Sequence, residues 1–163
     1  MAKRLDSKVA IITGGNSGIG EGTAHLLAKE GARGILLARR EEQGQAVASA
    51  IRDEGGEVTF ISCDVGDEDS VESAIAEAAG TYGAIHILFN NAGGGGRGHF
   101  PDEPTEEFSR VINVNLNGTF YVSRAAWPHI VAAGGGAVVN MSSLAAQRGA
   151  SPKMHEMFGS TSA

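Results

Sequence analysis

The chain has 163 residues, of which 42% are hydrophobic and 20% charged, with a net charge of -6 at pH 7; that is the balance of a single ordinary globular domain with one core. An acidic chain without a basic run or an aromatic ladder excludes a nucleic-acid partner, because a phosphate backbone is bound by clustered positive charge. Cys63 is the only cysteine and the five histidines (His25, His86, His99, His129, His155) are scattered, which excludes an internal disulfide and a thiolate metal cluster and predicts no metal site in a reducing, cytoplasmic setting.

The first eight residues are charged and only a short apolar run follows, so neither a signal peptide nor a membrane span is expected. That run, Val9 to Ile12, is continuous and β-branched, as in a parallel strand buried on both faces. It ends at Thr13-Gly14, and a helical stretch carrying Leu26-Leu27-Ala28 runs to a stop at Gly31. Ile35 to Ala38 reads as a second strand and Glu41 to about Glu54 as a second helix. Glu57 to Ser62 is a third strand, and Asp67-Glu68-Asp69 places acid in the first turn of a helix reaching about Ala79, where it complements the helix dipole. Ile85 to Phe89 is a fourth strand. Thr105 with Glu106 and Glu107 opens a long helix through Trp127, and Gly134-Gly135-Gly136 precedes a fifth strand, Ala137 to Met141. Strand and helix alternate throughout, so the expected fold is α/β, a doubly wound parallel sheet of Rossmann type with strand order 3-2-1-4-5, occupying residues 1–163 as one domain.

Thr13-Gly14-Gly15-Asn16-Ser17-Gly18-Ile19-Gly20 lies between the first strand and the first helix. Such a turn brings backbone close to a pyrophosphate and aims helix N–H groups at it, and side chains at Gly14, Gly18 or Gly20 would obstruct the turn, the ligand or helix packing. Gly14, Asp64, Asn90 and Ser142 each follow a strand closely, and the groove of an open parallel sheet lies beyond the strands' carboxyl ends, so they converge on one rim. Asp64 can accept from an adenine amino group or serve as a turn or cap residue. Gly93 to Gly96 permits close backbone approach to a nicotinamide ribose or forms a flexible surface loop, and Asn90-Asn91 just before it favours the ligand.

The glycine spacing, TGxxxGxG, resembles that of the short-chain dehydrogenase/reductase family. Cys63-Asp64-Val65 resembles the family's adenine-contacting segment, Asn90-Asn91-Ala92-Gly93 its NNAG motif, Asn113-Val114-Asn115-Leu116-Asn117-Gly118 its central helix segment, and Asn140-Met141-Ser142-Ser143 its catalytic-serine segment. The resemblance implies a nicotinamide dinucleotide bound by Gly14, Asn16, Ser17, Gly18, Ile19, Gly20, Arg39, Asp64, Val65, Asn91, Ala92, Gly93 and Val114, and a small-molecule alcohol or carbonyl substrate. It also implies two further strands, a pocket-shaping segment and a family-type homo-oligomer interface, all lying in whole or part beyond Ala163.

An acid usually ends the second strand when NAD is the ligand; here Ala38 does, followed by Arg39 and Arg40. A guanidinium suits a 2'-phosphate, and Arg39 resembles the family's NADP-selecting arginine, so NADP(H) is favoured over NAD(H). Solvated arginines pairing with Glu41 and Glu42 are the alternative.

The family's catalytic tetrad is Asn, Ser, Tyr and Lys. Asn115 and Ser143 match its first two members, but Phe158 stands at the tyrosine position and Ser162 at the lysine position. Phenylalanine has no exchangeable proton, and losing general acid-base assistance costs about 10²- to 10⁴-fold. Lys153, His155 and Glu156 lie just upstream, without a spacing that aims them at the pocket. Two readings stand, an impaired NAD(P)(H)-dependent oxidoreductase and a catalytically inactive NADP(H)-binding pseudoenzyme or fragment.

Overall fold

The computed structural model describes residues 3–96 and 102–143. Five parallel strands form one sheet in the order β3-β2-β1-β4-β5: β1 is Val9–Thr13, β2 Arg33–Ala38, β3 Glu57–Ser62, β4 Ile87–Asn90 and β5 Ala137–Asn140. This is the expected doubly wound arrangement. Ile11 at the centre pairs with Ile35 of β2 on one side and with Leu88 of β4 on the other. All five residues of β1 are buried, which is why its sequence is apolar from Val9 to Ile12 and does not alternate.

Because successive side chains of a strand point to opposite faces, the sheet carries two cores. Val9, Ile11, Ile35, Leu37, Ile61 and Leu88 pack with Val71 and Ile75 of α3 (Glu68–Tyr82) and Val122, Ala126 and Ile130 of α5 (Gly118–Ala132). Ala10, Ile12, Leu36, Phe60 and Phe89 pack with Ala24 and Ala28 of α1 (Gly18–Lys29) and Val47, Ala48 and Ile51 of α2 (Glu41–Asp53). Each fully buried Ile or Leu in these layers contributes about 1.5–3 kcal/mol of transfer free energy. Asp67 caps α3 by accepting from the backbone N–H groups of Asp69 and Ser70 at 3.0 and 3.2 Å, so one acid serves as cap while the next two face the dipole.

Several boundaries differ from the sequence reading. Ile85 is wholly buried but precedes β4, and β5 stops at Asn140, one residue before Met141. The helix after β4 is the larger correction. It is not one helix from Thr105 through Trp127: α4 (Thr105–Ile112) passes through a π turn, Asn113–Asn117, into α5, which continues to Ala132 with Pro128 inside it. Thr105 is its first helical residue and Pro104 the N-cap, with no side-chain cap bond. At the π turn the Gly118 N–H reaches back to the Asn113 carbonyl oxygen, five residues away instead of four, and one residue bulges from the helix.

Every residue of β5 is exposed, and among the described residues it forms the sheet edge beyond β4. Among the same residues, no helix is long and apolar enough to cross a membrane.

Candidate cofactor site

The carboxyl ends of β1 to β4 open on a cleft. Gly14, Asn16 and Ser17 line its centre, Arg39, Arg40, Asp64 and Val65 one end, and Asn91, Ala92, Gly93 and Val114 the other. The sequence-proposed cofactor residues are thus brought together from four strand ends and, for Val114, from the π turn, apart from Gly18, Ile19 and Gly20, which open α1 beside the cleft; Ile19 is 64% exposed.

Local backbone explains the glycines. Gly14 and Gly18 have φ of +64° and +56°, in the left-handed region, where a Cβ is strained. A Cβ on Gly20 would stand 2.2 Å from the Gly14 carbonyl oxygen. Ser17 is the α1 N-cap in residue position only: its side chain makes no cap hydrogen bond, and its Oγ instead accepts from Arg40 at 3.2 Å. The first amides of α1 therefore lack both an intrahelical acceptor and a side-chain cap, the condition of an anion site at a helix start. Asn16 is 4% exposed and its Nδ2 donates to Gln43 Oε1 of α2 at 3.2 Å, which fixes the crown of the turn.

Thr13 and Asn91 join this turn to the segment after β4. The buried Thr13 Oγ1 accepts from the backbone nitrogens of Asn91 and Ala92, each at 2.9 Å, and Asn91 Nδ2 donates to the Thr13 carbonyl oxygen at 3.0 Å. Sequence reading placed Asn91 at the ligand and gave Thr13 no role; the available signal was a hydroxyl closing an otherwise apolar strand.

The π turn holds two of the cleft loops. Asn113 Nδ2 donates to the Gly66 carbonyl oxygen after β3 at 2.6 Å. Asn115 Nδ2 donates at 2.8 Å to the carbonyl oxygens of both Gly94 and Val111, and its Oδ1 accepts from the Gly94 N–H at 3.2 Å. Both amide protons of Asn115 are thus committed to backbone. A Cβ on Gly93 would lie 2.6 Å from Asn115 Oδ1, so the glycine permits the close approach that makes these bonds.

At the β2–β3 end, Asp64 takes the turn role of the two the sequence left open to it. Its Oδ1 accepts from the Gly66 N–H at 3.0 Å, a turn bond, while Oδ2 lies 3.8 Å from Arg39. Arg39 and Arg40 take Asp64 and Ser17 as partners, and not Glu41 and Glu42, the partners of the alternative reading. Cys63 lines the floor here, and burial pushes its thiol up to about 11, so it packs as a small neutral side chain.

Toward the catalytic-serine segment, Asn90 Nδ2 donates to Ser123 Oγ of α5 and to Asn140 Oδ1 of β5, each at 2.9 Å, and the Met141 N–H donates to the Asn90 carbonyl oxygen at 2.8 Å. This anchors the strand end that leads to Ser143, which is exposed. Phe158 and Ser162, with Lys153, His155 and Glu156, lie outside the described residues.

Known proteins share this fold. The chain is 39% identical over 147 residues to a 3beta-hydroxysteroid dehydrogenase of Mediterraneibacter gnavus, covering 90% of this chain and 53% of that protein. It is 40% identical over 146 residues to a cyclohexanol dehydrogenase of an Acinetobacter species, covering 89% of this chain and 58% of the other. The crystal structure of an NAD+-bound xylitol dehydrogenase superposes with a TM-score of 0.87 at 33% identity, over 91% of this chain and 57% of that one. The chain therefore spans little more than half the length of these relatives. The family model described as short chain dehydrogenase matches residues 8–155, which is most of the chain, and the chain belongs to the short-chain dehydrogenase family.

Proposed function

We propose that this chain holds a nicotinamide dinucleotide across the rim of its sheet, NADP(H) in preference to NAD(H), as part of an oxidoreductase acting on an alcohol/carbonyl pair. The observation that carries the reading is the uncapped, glycine-lined start of α1 with Arg39 and Arg40 beside it and Ala38 where an acid would repel a phosphate. The pyrophosphate fits the α1 amides, and the 2'-phosphate fits the two guanidinium groups. The Arg39 to Asp64 pair does not compete strongly, because its side chains are 64% and 44% exposed and such a pair is worth about 0–1 kcal/mol. Asp64 and Val65 then face the adenine, and Asn91, Ala92, Gly93 and Val114 the nicotinamide half.

The bound dinucleotide would supply the hydride. Ser143 polarises the carbonyl oxygen by donating its hydroxyl proton in a hydrogen bond, and Asn115 keeps the loop after β4 in place. Phe158 and Ser162 offer no proton donor and no cation where the family has Tyr and Lys, so the reading carries binding without efficient turnover. The acidic charge and single cysteine agree with a cytoplasmic protein whose ligands are small molecules.

Fluorescence titration of NADPH and NADH tests this. NADPH binds the unaltered chain more tightly, and Arg39→Ala weakens NADPH by about tenfold, as for a charged hydrogen bond, while leaving NADH nearly unchanged. Absence of affinity for either dinucleotide overturns the proposal. Following NADPH oxidation with a panel of ketones then separates an impaired enzyme, which turns over slowly, from a pseudoenzyme, which gains turnover only with Phe158→Tyr and Ser162→Lys together.

A further inference from the structure

Arg110 lies outside every motif read in the sequence, one turn before the π turn. Its Nε and Nη2 make a forked pair with Glu107 at 2.9 and 2.7 Å, and Nη2 also donates to the Gly95 carbonyl oxygen at 2.8 Å. An exposed pair at this helical spacing contributes only a few tenths of a kcal/mol. This one differs in two ways: the Glu107 side chain is 17% exposed, and the guanidinium spends a proton on a loop carbonyl outside its own helix. Its other terminal nitrogen lies 4.0 Å from the position a Cβ on Gly94 would take, so the fork lies along the loop.

The order of the sheet says which part of the cleft this loop serves. Arg39 and Asp64 follow β2 and β3, on one side of β1, whereas Gly93 to Gly96 follow β4 on the other. A dinucleotide with its pyrophosphate at the start of α1, which sits over β1, must lie with its adenosine half toward β2 and β3 and its nicotinamide half toward β4. Four consecutive glycines have the largest backbone entropy to lose, so a loop made of them defines a ligand surface only if something outside the loop fixes it. Asn115 fixes Gly94; Arg110 fixes Gly95.

We infer that Arg110, braced by Glu107, is a positioning residue that pre-orders the Gly93 to Gly96 loop and thereby adds affinity for the nicotinamide half of the dinucleotide and not for its adenosine half. The inference rests on the dinucleotide reading above. Pre-ordering a ligand surface raises affinity by removing the entropy cost at the moment of binding, so the effect belongs to whichever half of the ligand touches that surface.

The test is calorimetric titration of the full chain, Arg110→Met, Arg110→Lys and Glu107→Gln with NADPH and, separately, with 2',5'-ADP, which carries the adenosine half alone. In Arg110→Met the affinity for NADPH falls roughly tenfold, the size of one charged hydrogen bond, while 2',5'-ADP stays within about twofold. Arg110→Lys recovers only part of the loss, because an ammonium lacks the planar fork. Should Arg110→Met fail to fold, Glu107→Gln keeps the arginine and removes its charged brace, with a loss of about threefold confined to NADPH. Unchanged NADPH affinity in Arg110→Met, or an equal loss for both ligands, overturns the inference and leaves the dinucleotide reading standing. Failure of the unaltered chain to bind either ligand overturns both.

Discussion

Thr13 Oγ1 lies 2.9 Å from the backbone nitrogens of both Asn91 and Ala92 while donating to the Phe89 carbonyl oxygen at 3.5 Å. One hydroxyl thus closes β1, ends β4 and satisfies two amides that no strand partner reaches. Thr13 is 2% exposed, so replacing it with valine keeps the shape and strands both N–H groups away from water. A buried donor without an acceptor costs about 1–3 kcal/mol, and Thr13→Val is expected to lose about 2–4 kcal/mol in urea unfolding, with Thr13→Ser recovering most of it. A loss below 1 kcal/mol would show that the two amides find other acceptors.

Gly20 faces the same turn from the helix side. Its missing Cβ would sit 2.2 Å from the Gly14 carbonyl oxygen and 2.6 Å from Asn91 Nδ2, so Gly20→Ala must either push α1 away from β1 or break the Asn91 bond to the turn. Overpacking of this kind costs about 1–3 kcal/mol. The expected outcome is a lowered unfolding midpoint together with loss of dinucleotide binding, because the amides at the start of α1 move with the helix. Gly22 on the same helix has open space around its Cβ position, and Gly22→Ala should leave binding intact and raise stability by up to about 1 kcal/mol. Equal effects of the two substitutions in a thermal melt would remove the steric explanation.

The sheet order and the rim of strand ends could be read from the chain because both follow from local pattern. Continuous apolar runs such as Val9 to Ile12 mark buried parallel strands, and a run of Thr-Gly-Gly behind one of them marks a turn that only glycine can make. What the pattern could not carry was contact between distant segments. Thr13 meets Asn91 across 78 residues and Asn113 meets Gly66 across 47, and nothing in the local sequence of either partner specifies the other. The π turn was missed for a related reason: Asn113-Val114-Asn115-Leu116-Asn117 has a helix's dihedral angles and a helix's neighbours, and its extra residue is stabilised by side-chain bonds to loops that exist only once the sheet has formed. Arg110 carries no local signal of its loop contact, because a helical Arg three residues after a Glu is ordinarily a solvated pair.

His86 gives the fold a defined acid sensitivity at the end of the sheet opposite the cleft. Its Nδ1 accepts from the Val9 N–H at 3.1 Å, while its backbone bonds to Val9 and Ala137 on either side. Burial lowers its pKa below the ordinary 6.5, and the nearby positive charges of Lys8 and Arg33 lower it further. A ring nitrogen that accepts must be unprotonated, so the fold prefers neutral His86. Since the folded pKa lies below the unfolded one, this stabilisation is fully present above about pH 6.5 and is lost as pH falls from there through the folded value. Glu30, whose carboxyl the Arg4 side-chain bond holds below its ordinary 4.5, loses its contribution only at lower pH. Stability measured by urea unfolding at successive pH values should therefore decline just below pH 6.5, and His86→Asn, whose amide oxygen can accept from Val9 but does not titrate, should flatten that part of the curve without altering the fall below pH 4.5. Parallel curves for the unaltered and substituted chains would mean that the decline belongs to another group.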